Sequence, residues 1–448
     1  MSSPLGIRGY DYVEFYVGSA RMTAFWFARA LGLQLTGYAG PETGVRDRIS
    51  FYLTRHRLKF VVTSPLQPDT WDIWGWITKH GDGVKRWAVE VDSVEDAFAY
   101  AAKRGAVMVK RPERISNRHG YIDEAAIRLY DDTELVYVNR DHYRHIFRPG
   151  FCEPLFSFDA GRDDTGLLAV DHIVANVREN EMNLWAEYFN NTMDFETFVD
   201  FGPGDISTRY SSLLSKVVRS KDSKIRNPIN EPYEGLKKSQ IEEFIEQYRG
   251  SGIQHVALRT GDIVATVSAL RRNGVEFLAV PDAYYDRLRG RSEVMSRLRE
   301  DLALLKQHGI LCDIESDGYL LQLFTKPIGD RPTFFFEVIQ RVGNSEGFGK
   351  GNFRALGKRF GKQTPVVAKA IAEAEAAVLA EAVADGGSFA LVVSGFDEPV
   401  LVGADDVLIS ERPREGWSVI NQQGETVALD LTLTPELWKA HPGLSAFR

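Results

Sequence analysis

Two halves of this 448-residue chain repeat the same pattern of glycines and apolar residues. Residues 80–106 align without a gap on residues 249–275, and three glycines occupy matching places in the two stretches. Two further pairs of segments match in the same order, namely residues 10–22 with 170–182 and residues 136–140 with 337–341. An internal repeat of this kind indicates that both halves build the same supersecondary unit. The sequence therefore predicts two copies of one βαβββ-type unit.

The repeat also suggests where the domains begin and end. Residues 6–140 form the first copy, residues 141–165 a linker that contains prolines and glycines, and residues 166–356 the second copy. Residues 357–448 have no repeat partner upstream. There, an alanine-rich segment that begins after a Thr-Pro pair predicts a helix over Val366–Ala384. Short strands are expected after it at Phe389–Val393, Pro399–Val402, Val407–Ile409 and Thr426–Leu433.

Composition excludes several classes of protein. The net charge of −8 is modest and mixed in sign, so binding to nucleic acid or to a membrane surface is not expected. No apolar run reaches the roughly 18–20 residues that a membrane-spanning helix needs. The first residues lack the basic and apolar layout of a signal peptide. The two cysteines, Cys152 and Cys312, have neither disulfide-framework nor zinc-site spacing, and we expect a cytoplasmic protein.

The second copy carries three potential metal ligands where the first copy has none. His172 aligns with Tyr12, His255 with Arg86, and Glu337 with Val136. All three potential ligands lie in apolar segments that predict strands. A buried carboxylate is costly unless it is paired or bound to a metal.

Each of the three residues alone has a structural explanation. A histidine on a buried strand commonly satisfies a hydrogen bond in the core, and Glu337 could pair with Arg341 near the end of its strand. Together, however, two imidazoles and one carboxylate form the facial triad that suits non-haem Fe(II) and oxygen chemistry. The sequence therefore predicts a metal centre in the second copy and a structural role for the first.

Several motifs carry a resemblance to a known family. They are DHIVANV, GIQHVAL, PINEP, KSQI, LLQLFTKP, DRPTFFFEVIQR and GFGKGNF. From about Gly6 to Leu356 the chain resembles the 4-hydroxyphenylpyruvate dioxygenase family. The resemblance implies an α+β fold in which tandem vicinal-oxygen-chelate (βαβββ) repeats form two barrel-like domains, followed by a small α/β C-terminal extension. It also implies a homodimer or a homotetramer.

The same resemblance implies the site and its substrates. Fe(II) is expected on His172, His255 and Glu337, and an α-keto acid would chelate it through its carboxylate and keto oxygens before O2 reacts. The catalytic polar residues are expected to be Ser211, Asn230, Gln254 and Gln322. The expected substrate-binding residues are Gln240, Phe324, Phe335, Phe348, Asn352 and Phe353. Because side chains alternate along a strand, Phe334 and Phe336 are expected in the core instead.

The predicted reaction converts 4-hydroxyphenylpyruvate and O2 to homogentisate and CO2. The alternatives are a 4-hydroxymandelate synthase that uses the same substrate and iron, a non-catalytic chelate-fold binding protein, and a catalytically impaired fusion. The last arises because residues after Leu356 resemble the C-terminal appendage of isoleucyl-tRNA synthetases, in RFGKQTP, ADDVLISERPREGW and GETVALDLTLTPEL. Neither H-I-G-H nor K-M-S-K-S occurs, so no aminoacylation is implied. The helix that closes the active site in the family is expected to be missing.

Overall fold

The computed structural model describes residues 4–158, 164–201, 212–233, 239–315 and 318–348, together with the stretches 388–391, 400–403, 417–422 and 425–430. Contacts between residues divide the chain into two compact units, Met1–Lys358 and Arg359–Arg448. The finer subdivision into two repeat domains, a linker and an extension stays a prediction. No helix among the described residues is long and apolar enough to cross a membrane.

The first half of the larger unit is an eight-stranded mixed sheet with helices. Its strands are β1 Ile7–Tyr16, β2 Gln34–Ala39, β3 Arg48–Arg55, β4 Leu58–Pro65, β5 Gly83–Val91, β6 Met108–Asn117, β7 Gly120–Leu129 and β8 Thr133–Asn139. Its helices are α1 Ala20–Ala30, α2 Trp71–His80 and α3 Val94–Lys103. The strand order is β2-β3-β4-β1-β5-β8-β7-β6. Each of two βαβββ units therefore contributes four neighbouring strands of this sheet, β1–β4 in one unit and β5–β8 in the other.

The second half repeats this sheet. Its strands are β9 Leu167–Asn176, β10 Phe195–Phe201, β11 Ser212–Ser220, β12 Arg226–Tyr233, β13 Gly252–Thr260, β14 Leu311–Ile314, β15 Gly318–Phe324 and β16 Phe335–Gly343. Its described helices are α4 Met182–Met193, α5 Gln240–Tyr248, α6 Ile263–Arg272, α7 Asp282–Arg289, α8 Ser292–Arg297 and α9 Leu302–His308. The order β10-β11-β12-β9-β13-β16-β15-β14 is that of the first sheet. The repeat is confirmed, and each half contains two βαβββ units rather than one.

Strand register confirms the alignment of the two halves. In the first sheet Ala88 pairs with Val136 across β5 and β8. In the second, Ala257 pairs with Glu337 across β13 and β16. Glu337 therefore occupies the place of Val136, as the sequence alignment predicts.

The two halves share one hydrophobic core. Phe336 is fully buried, and its ring stacks on that of Phe60 from the first half, with centroids 5.9 Å apart. It also meets Phe15 and Phe27 of the first half edge to face. Phe334 packs beside it, with the two ring centroids 5.0 Å apart. The expectation that Phe334 and Phe336 serve the core is confirmed, and β16 thus presents one face to the first half and the other to the candidate site.

Four short strands are described in the smaller unit. The strands β17 Ser388–Leu391 and β18 Val400–Gly403 pair with each other, as do β19 Trp417–Gln422 and β20 Glu425–Asp430. The expected strands at Phe389–Val393, Pro399–Val402 and Thr426–Leu433 correspond to three of them, whereas β19 was not expected. The helix predicted over Val366–Ala384 and the strand predicted at Val407–Ile409 lie outside the described residues.

Candidate metal centre

Three adjacent central strands bring His172, His255 and Glu337 together. On β13, Ala257 is in register with His172 of β9 on one side and with Glu337 of β16 on the other. His255 lies two residues before Ala257, so its side chain points to the same face of β13 as that of Ala257. Neighbouring strands are only about 4.8 Å apart. The register therefore places three potential ligands around one point.

The potential ligand atoms of the three side chains lie close to one another. Glu337 Oε2 lies 3.2 Å from His172 Nε2 and 3.4 Å from His255 Nε2. One potential ligand atom from each residue lies within 4.8 Å of the others, and all three residues are buried. Among the described residues, these three are the one group of at least three His, Cys, Asp or Glu side chains close enough together to hold a metal ion.

Hydrogen bonds direct the Nε2 atoms of both histidines towards the centre. His172 Nδ1 lies 2.8 Å from an oxygen of Asp171, and His255 Nδ1 lies 3.0 Å from Gln254 Oε1. Both partners are acceptors, so each Nδ1 would carry a proton, and in the neutral ring each Nε2 would offer a lone pair to a cation. This orientation of an imidazole by a second group is the usual arrangement at protein metal sites.

The electrostatics favour an ionised carboxylate. Burial alone would raise the pKa of Glu337, but the charges and hydrogen bonds of His172 and His255 lower the pKa to about 2. Burial opposes protonation of His172, yet Glu337 and Asp171 outweigh it and raise the pKa of that imidazole. For His255, burial prevails and lowers the pKa. The site therefore combines a fixed negative charge with two imidazoles.

The residues present fit a divalent cation. Glu337 Oε1 is buried and has no hydrogen-bond partner, which is uncommon for a carboxylate oxygen in a protein interior. A cation at the convergence point would satisfy it together with the two imidazole lone pairs. Two imidazoles and one carboxylate with positions left open match non-haem Fe(II).

The alternative pairing of Glu337 with Arg341 is wrong. Arg341 binds Asp171 instead, with the closest nitrogen and oxygen 2.7 Å apart. Four residues along a strand separate Glu337 from Arg341, a distance of about 13 Å between Cα atoms. The two side chains therefore reach different partners.

A cavity of about 170 Å³ opens beside the three ligands. Seven of the residues expected at the site line it, namely Asn230, Gln240, Gln254, Gln322, Phe324, Phe335 and Phe348. Apolar residues complete the wall, among them Val174, Leu213, Pro228, Ile241, Leu278 and Leu311. Ser211, Asn352 and Phe353 lie outside the described residues. Their roles, like those of the lining residues, stay predictions.

Sequence reasoning missed one serine of this cavity. Ser215 of β11 lines the cavity and is in register with Asn230 of β12. No local pattern distinguishes it from the neighbouring serines, because its place opposite Asn230 depends on the register in which β11 and β12 pair. Ser215 therefore adds a hydroxyl to the cavity wall beside Asn230.

In the first half, other side chains occupy the position that corresponds to the candidate metal centre. Tyr12 and Val136 belong to an apolar cluster that includes Tyr52 and Phe147. Arg86 instead forms an ion pair with Glu134, with Nε and the carboxylate oxygen 3.1 Å apart. The asymmetry predicted between the halves is thus present in the side chains as well as in the alignment.

Comparisons with known proteins settle the family. The chain is 42% identical over 356 residues to 4-hydroxyphenylpyruvate dioxygenase of Yarrowia lipolytica, a match that covers 78% of this chain and 90% of that protein. The chain belongs to the 4-hydroxyphenylpyruvate dioxygenase family. The protein of that name from Dictyostelium discoideum is 38% identical over 361 residues, with 80% of this chain and 98% of the relative covered. Membership in the family confirms the expected enzyme class. A scan against protein-family models finds no match.

Solved structures confirm the fold of the family. A triple mutant of 4-hydroxymandelate synthase from Streptomyces coelicolor superimposes with a TM-score of 0.69 at 28% identity, over 80% of this chain and 98% of that one. A fusion of a xylose isomerase-like TIM barrel with 4-hydroxyphenylpyruvate dioxygenase gives a TM-score of 0.61 at 23% identity, over 79% of this chain and 53% of that one. None of these relatives shows the synthetase-like resemblance of residues 357–448, which stays a prediction.

Proposed function

We propose that the chain is an Fe(II)-dependent dioxygenase that converts 4-hydroxyphenylpyruvate and O2 to homogentisate and CO2. The observation that carries the proposal is the buried His-His-Glu group, with one unsatisfied carboxylate oxygen, beside a cavity in a chain of this family. His172, His255 and Glu337 would hold the iron. Bound Fe(II) would supply the redox chemistry with O2, while decarboxylation of the α-keto acid would supply the electrons.

The aromatic wall would position the substrate ring and exclude water. The ring of Phe335 stacks on His255, with centroids 4.8 Å apart and planes 18° apart, and Phe324 meets His255 edge to face. Phe348 meets His172 edge to face at 5.1 Å. These rings surround the ligands with apolar surface. A dry cavity protects a reactive oxidant from side reactions with solvent.

Polar residues on the cavity wall would orient the substrate. Asn230, Gln240 and Gln322 offer amide donors and acceptors to a phenol and a carboxylate, and Ser215 adds a hydroxyl. A few polar groups in a largely apolar pocket are what fixes the orientation of a small ligand. Gln254 has a second task, since it also accepts the hydrogen bond from His255 Nδ1.

Oxygen uptake with 4-hydroxyphenylpyruvate, with and without Fe(II), tests the proposal. We expect uptake that depends on both Fe(II) and the keto acid, with CO2 and homogentisate as products. A chelator should stop uptake, and re-addition of Fe(II) should restore it. An iron-loaded chain that consumes no oxygen with this substrate would contradict the proposed function and favour a non-catalytic binding protein.

A second candidate is hydroxylation of the benzylic carbon, which gives 4-hydroxymandelate. Its support is the superposition on 4-hydroxymandelate synthase. The relatives of greater identity carry the dioxygenase name, and the intact PINEP and FFFE motifs resemble the ring-hydroxylating branch. Chromatography of the product distinguishes the two, because homogentisate and 4-hydroxymandelate differ in the position of the new hydroxyl group.

Truncation tests the role of the C-terminal unit. Because Met1–Lys358 is compact by itself and contains all three ligands, removal of residues 357–448 should leave iron content and oxygen uptake nearly unchanged. The intact chain should yield less than one homogentisate per oxygen, since the family's closing helix is expected to be missing from its sequence after Leu356, and a family-type helix grafted there should restore the yield. Full yield in the intact chain that is lost on truncation would show that the C-terminal unit serves as the lid.

Assembly and location complete the proposal. We expect a homodimer or homotetramer in the cytoplasm, with the α-keto acid and O2 as substrates and neither nucleic acid nor membrane as a partner. Sedimentation at micromolar concentration checks the assembly. A monomer under those conditions would contradict it.

A further inference from the structure

Arg341 connects the metal centre to the segment that follows strand β16. Its Nε and Nη2 donate to both oxygens of Asp171, at 2.9 Å and 2.7 Å, and its Nη1 donates to the Gly347 carbonyl at 2.6 Å. Asp171 in turn accepts from His172 Nδ1. The next residue after Gly347 is Phe348, whose ring lies under the Arg341 guanidinium and against His172. The buried Arg341 side chain thus contacts Asp171, which orients the ligand His172, and also the backbone next to Phe348, whose ring packs on His172.

A bulge explains how Asp171 comes to support its neighbour. His172 pairs with Ala257, whereas Val170 pairs with Leu258, so β9 holds one residue more than β13 between these pairs. An extra residue re-aims the side chains of the bulged strand. Asp171 can therefore accept a hydrogen bond from the ring next to it.

The first half contains a similar arrangement without the three potential ligands, and there the arginine binds the carbonyl of the phenylalanine itself. Arg140 donates to Asp11 and to the carbonyl of Phe147, and the Phe147 ring meets Tyr12 edge to face at 5.1 Å. Strand β1 also has one extra residue against β5 at this place, between Tyr10 and Val13. The phenylalanine follows the arginine by the same number of residues in both halves. Both copies of the fold therefore use an arginine to hold a phenylalanine over the ligand position.

We propose that Arg341 is a positioning residue for the metal centre, which it serves through a latch made of Asp171, Arg341, the Gly347 carbonyl and Phe348. This proposal rests on the proposed function, since it assumes a metal on His172. The guanidinium fork keeps the Asp171 carboxylate aligned, and Asp171 accepts the hydrogen bond from His172 Nδ1. The same guanidinium fixes Gly347, which keeps Phe348 over the ligand.

Glu315 strengthens the latch on its far side. Its carboxylate accepts from the backbone N–H of Gly347 at 2.8 Å and of Glu346 at 2.9 Å, and from the Ser345 hydroxyl at 3.0 Å. A side chain at Gly347 would meet this carboxylate, because a Cβ built there falls within 2.1 Å of Glu315 Oε1. The segment is therefore held from two sides, by Arg341 at a carbonyl and by Glu315 at two amides.

The first half supplies a matched control for the test. We would compare Arg341→Met with Arg140→Met in the full chain, measuring the affinity for Fe(II) and for Co²⁺ per folded chain. Loss of a group that supports a metal ligand typically weakens metal binding about 10–100-fold. We expect that loss for Arg341→Met and none for Arg140→Met, although both variants should unfold at a lower temperature. Equal metal affinity in the two variants would overturn the positioning role.

A conservative variant and a metal-free measurement complete the test. Arg341→Lys keeps a charge beside Asp171 but cannot reach the carbonyl as well, so its metal affinity should lie between those of the intact chain and Arg341→Met. If Arg341→Met does not fold, Arg341→Lys replaces it in the comparison. An affinity of Arg341→Lys for Fe(II) and Co²⁺ equal to that of the intact chain would then overturn the proposal. In the metal-free chain, hydrogen exchange over residues 343–348 should accelerate in both Arg341 variants. An unchanged exchange rate would also overturn the latch.

The outcomes separate this inference from the proposed function. If the intact chain binds no Fe(II), both the proposed function and the positioning role fail. If the intact chain binds Fe(II) and the Arg341 variants bind it equally well, the positioning role alone fails.

Discussion

Glu337→Ala is expected to abolish Fe(II) binding and turnover, and His172→Ala and His255→Ala should each do the same or cut them severely. Each substitution removes one of three ligands, and the two remaining groups cannot hold a cation whose site depends on two imidazoles and one carboxylate. Iron stoichiometry per folded chain and oxygen uptake with 4-hydroxyphenylpyruvate are the measurements. Full iron content and activity in Glu337→Ala would contradict the assignment of the centre.

A histidine outside the cavity serves as the control for these substitutions, and His308 is better suited to this than His80. His308 ends helix α9 away from the cavity, where its Nε2 lies 3.3 Å from the Ser268 hydroxyl, so His308→Ala should leave iron content unchanged. His80 is a poorer control. It is fully buried, and its two ring nitrogens bond to Asp132 and to the Tyr248 carbonyl of the second half. His80→Ala should keep the metal ligands but would disturb the contact between the halves.

Arg86→Met is expected to lower stability without changing iron content per folded chain. The guanidinium lies 3.1 Å from Glu134 and 3.5 Å from Glu14. Its removal takes this cation from both carboxylates, and Glu134 keeps only its pair with Lys85, at 3.0 Å. Breaking a fully buried pair costs about 3–5 kcal/mol. Because 22% of the Arg86 side chain is exposed, we expect roughly 2–3 kcal/mol of lost unfolding free energy.

Denaturant unfolding and iron analysis measure this second prediction. Tyr12→Phe is a milder companion, since it keeps the ring that packs against Phe147 and should leave both stability and iron content nearly unchanged. A metal bound near Tyr12 and Arg86, or iron lost in proportion to the Arg86 substitution, would contradict the structural role of the first half.

Much of the site could be predicted from the sequence because it depends on the repeat. Aligning the halves places His172, His255 and Glu337 on equivalent strands, and β-strand alternation separates Phe335 from Phe334 and Phe336. The prediction of one βαβββ unit per half was wrong, because each half contains two such units, which the strand order shows and the repeat between the halves does not. Between strands β7 and β8, Tyr130 adopts a positive φ of 53° where the chain turns.

Other features depend on pairings that no local pattern reveals. Ser215 faces the cavity because β11 and β12 pair in one particular register, and several nearby serines read alike in the sequence. The partner of Arg341 is Asp171, far away along the chain, and an extra residue in β9 brings it there. Sequence proximity favoured Glu337 instead. Register and bulges are properties of strand pairing, so they appear only when the whole sheet is assembled.

Because His172, Ala257 and Glu337 are in register on three neighbouring strands, the amount of iron bound per chain reports whether these strands have paired correctly. A slip of one residue in β9 or β16 would turn a ligand to the opposite face of the sheet. Such a chain could keep its secondary structure and still bind no iron. The fraction of chains that take up iron during refolding should therefore count those whose three central strands have aligned correctly, which circular dichroism alone cannot do.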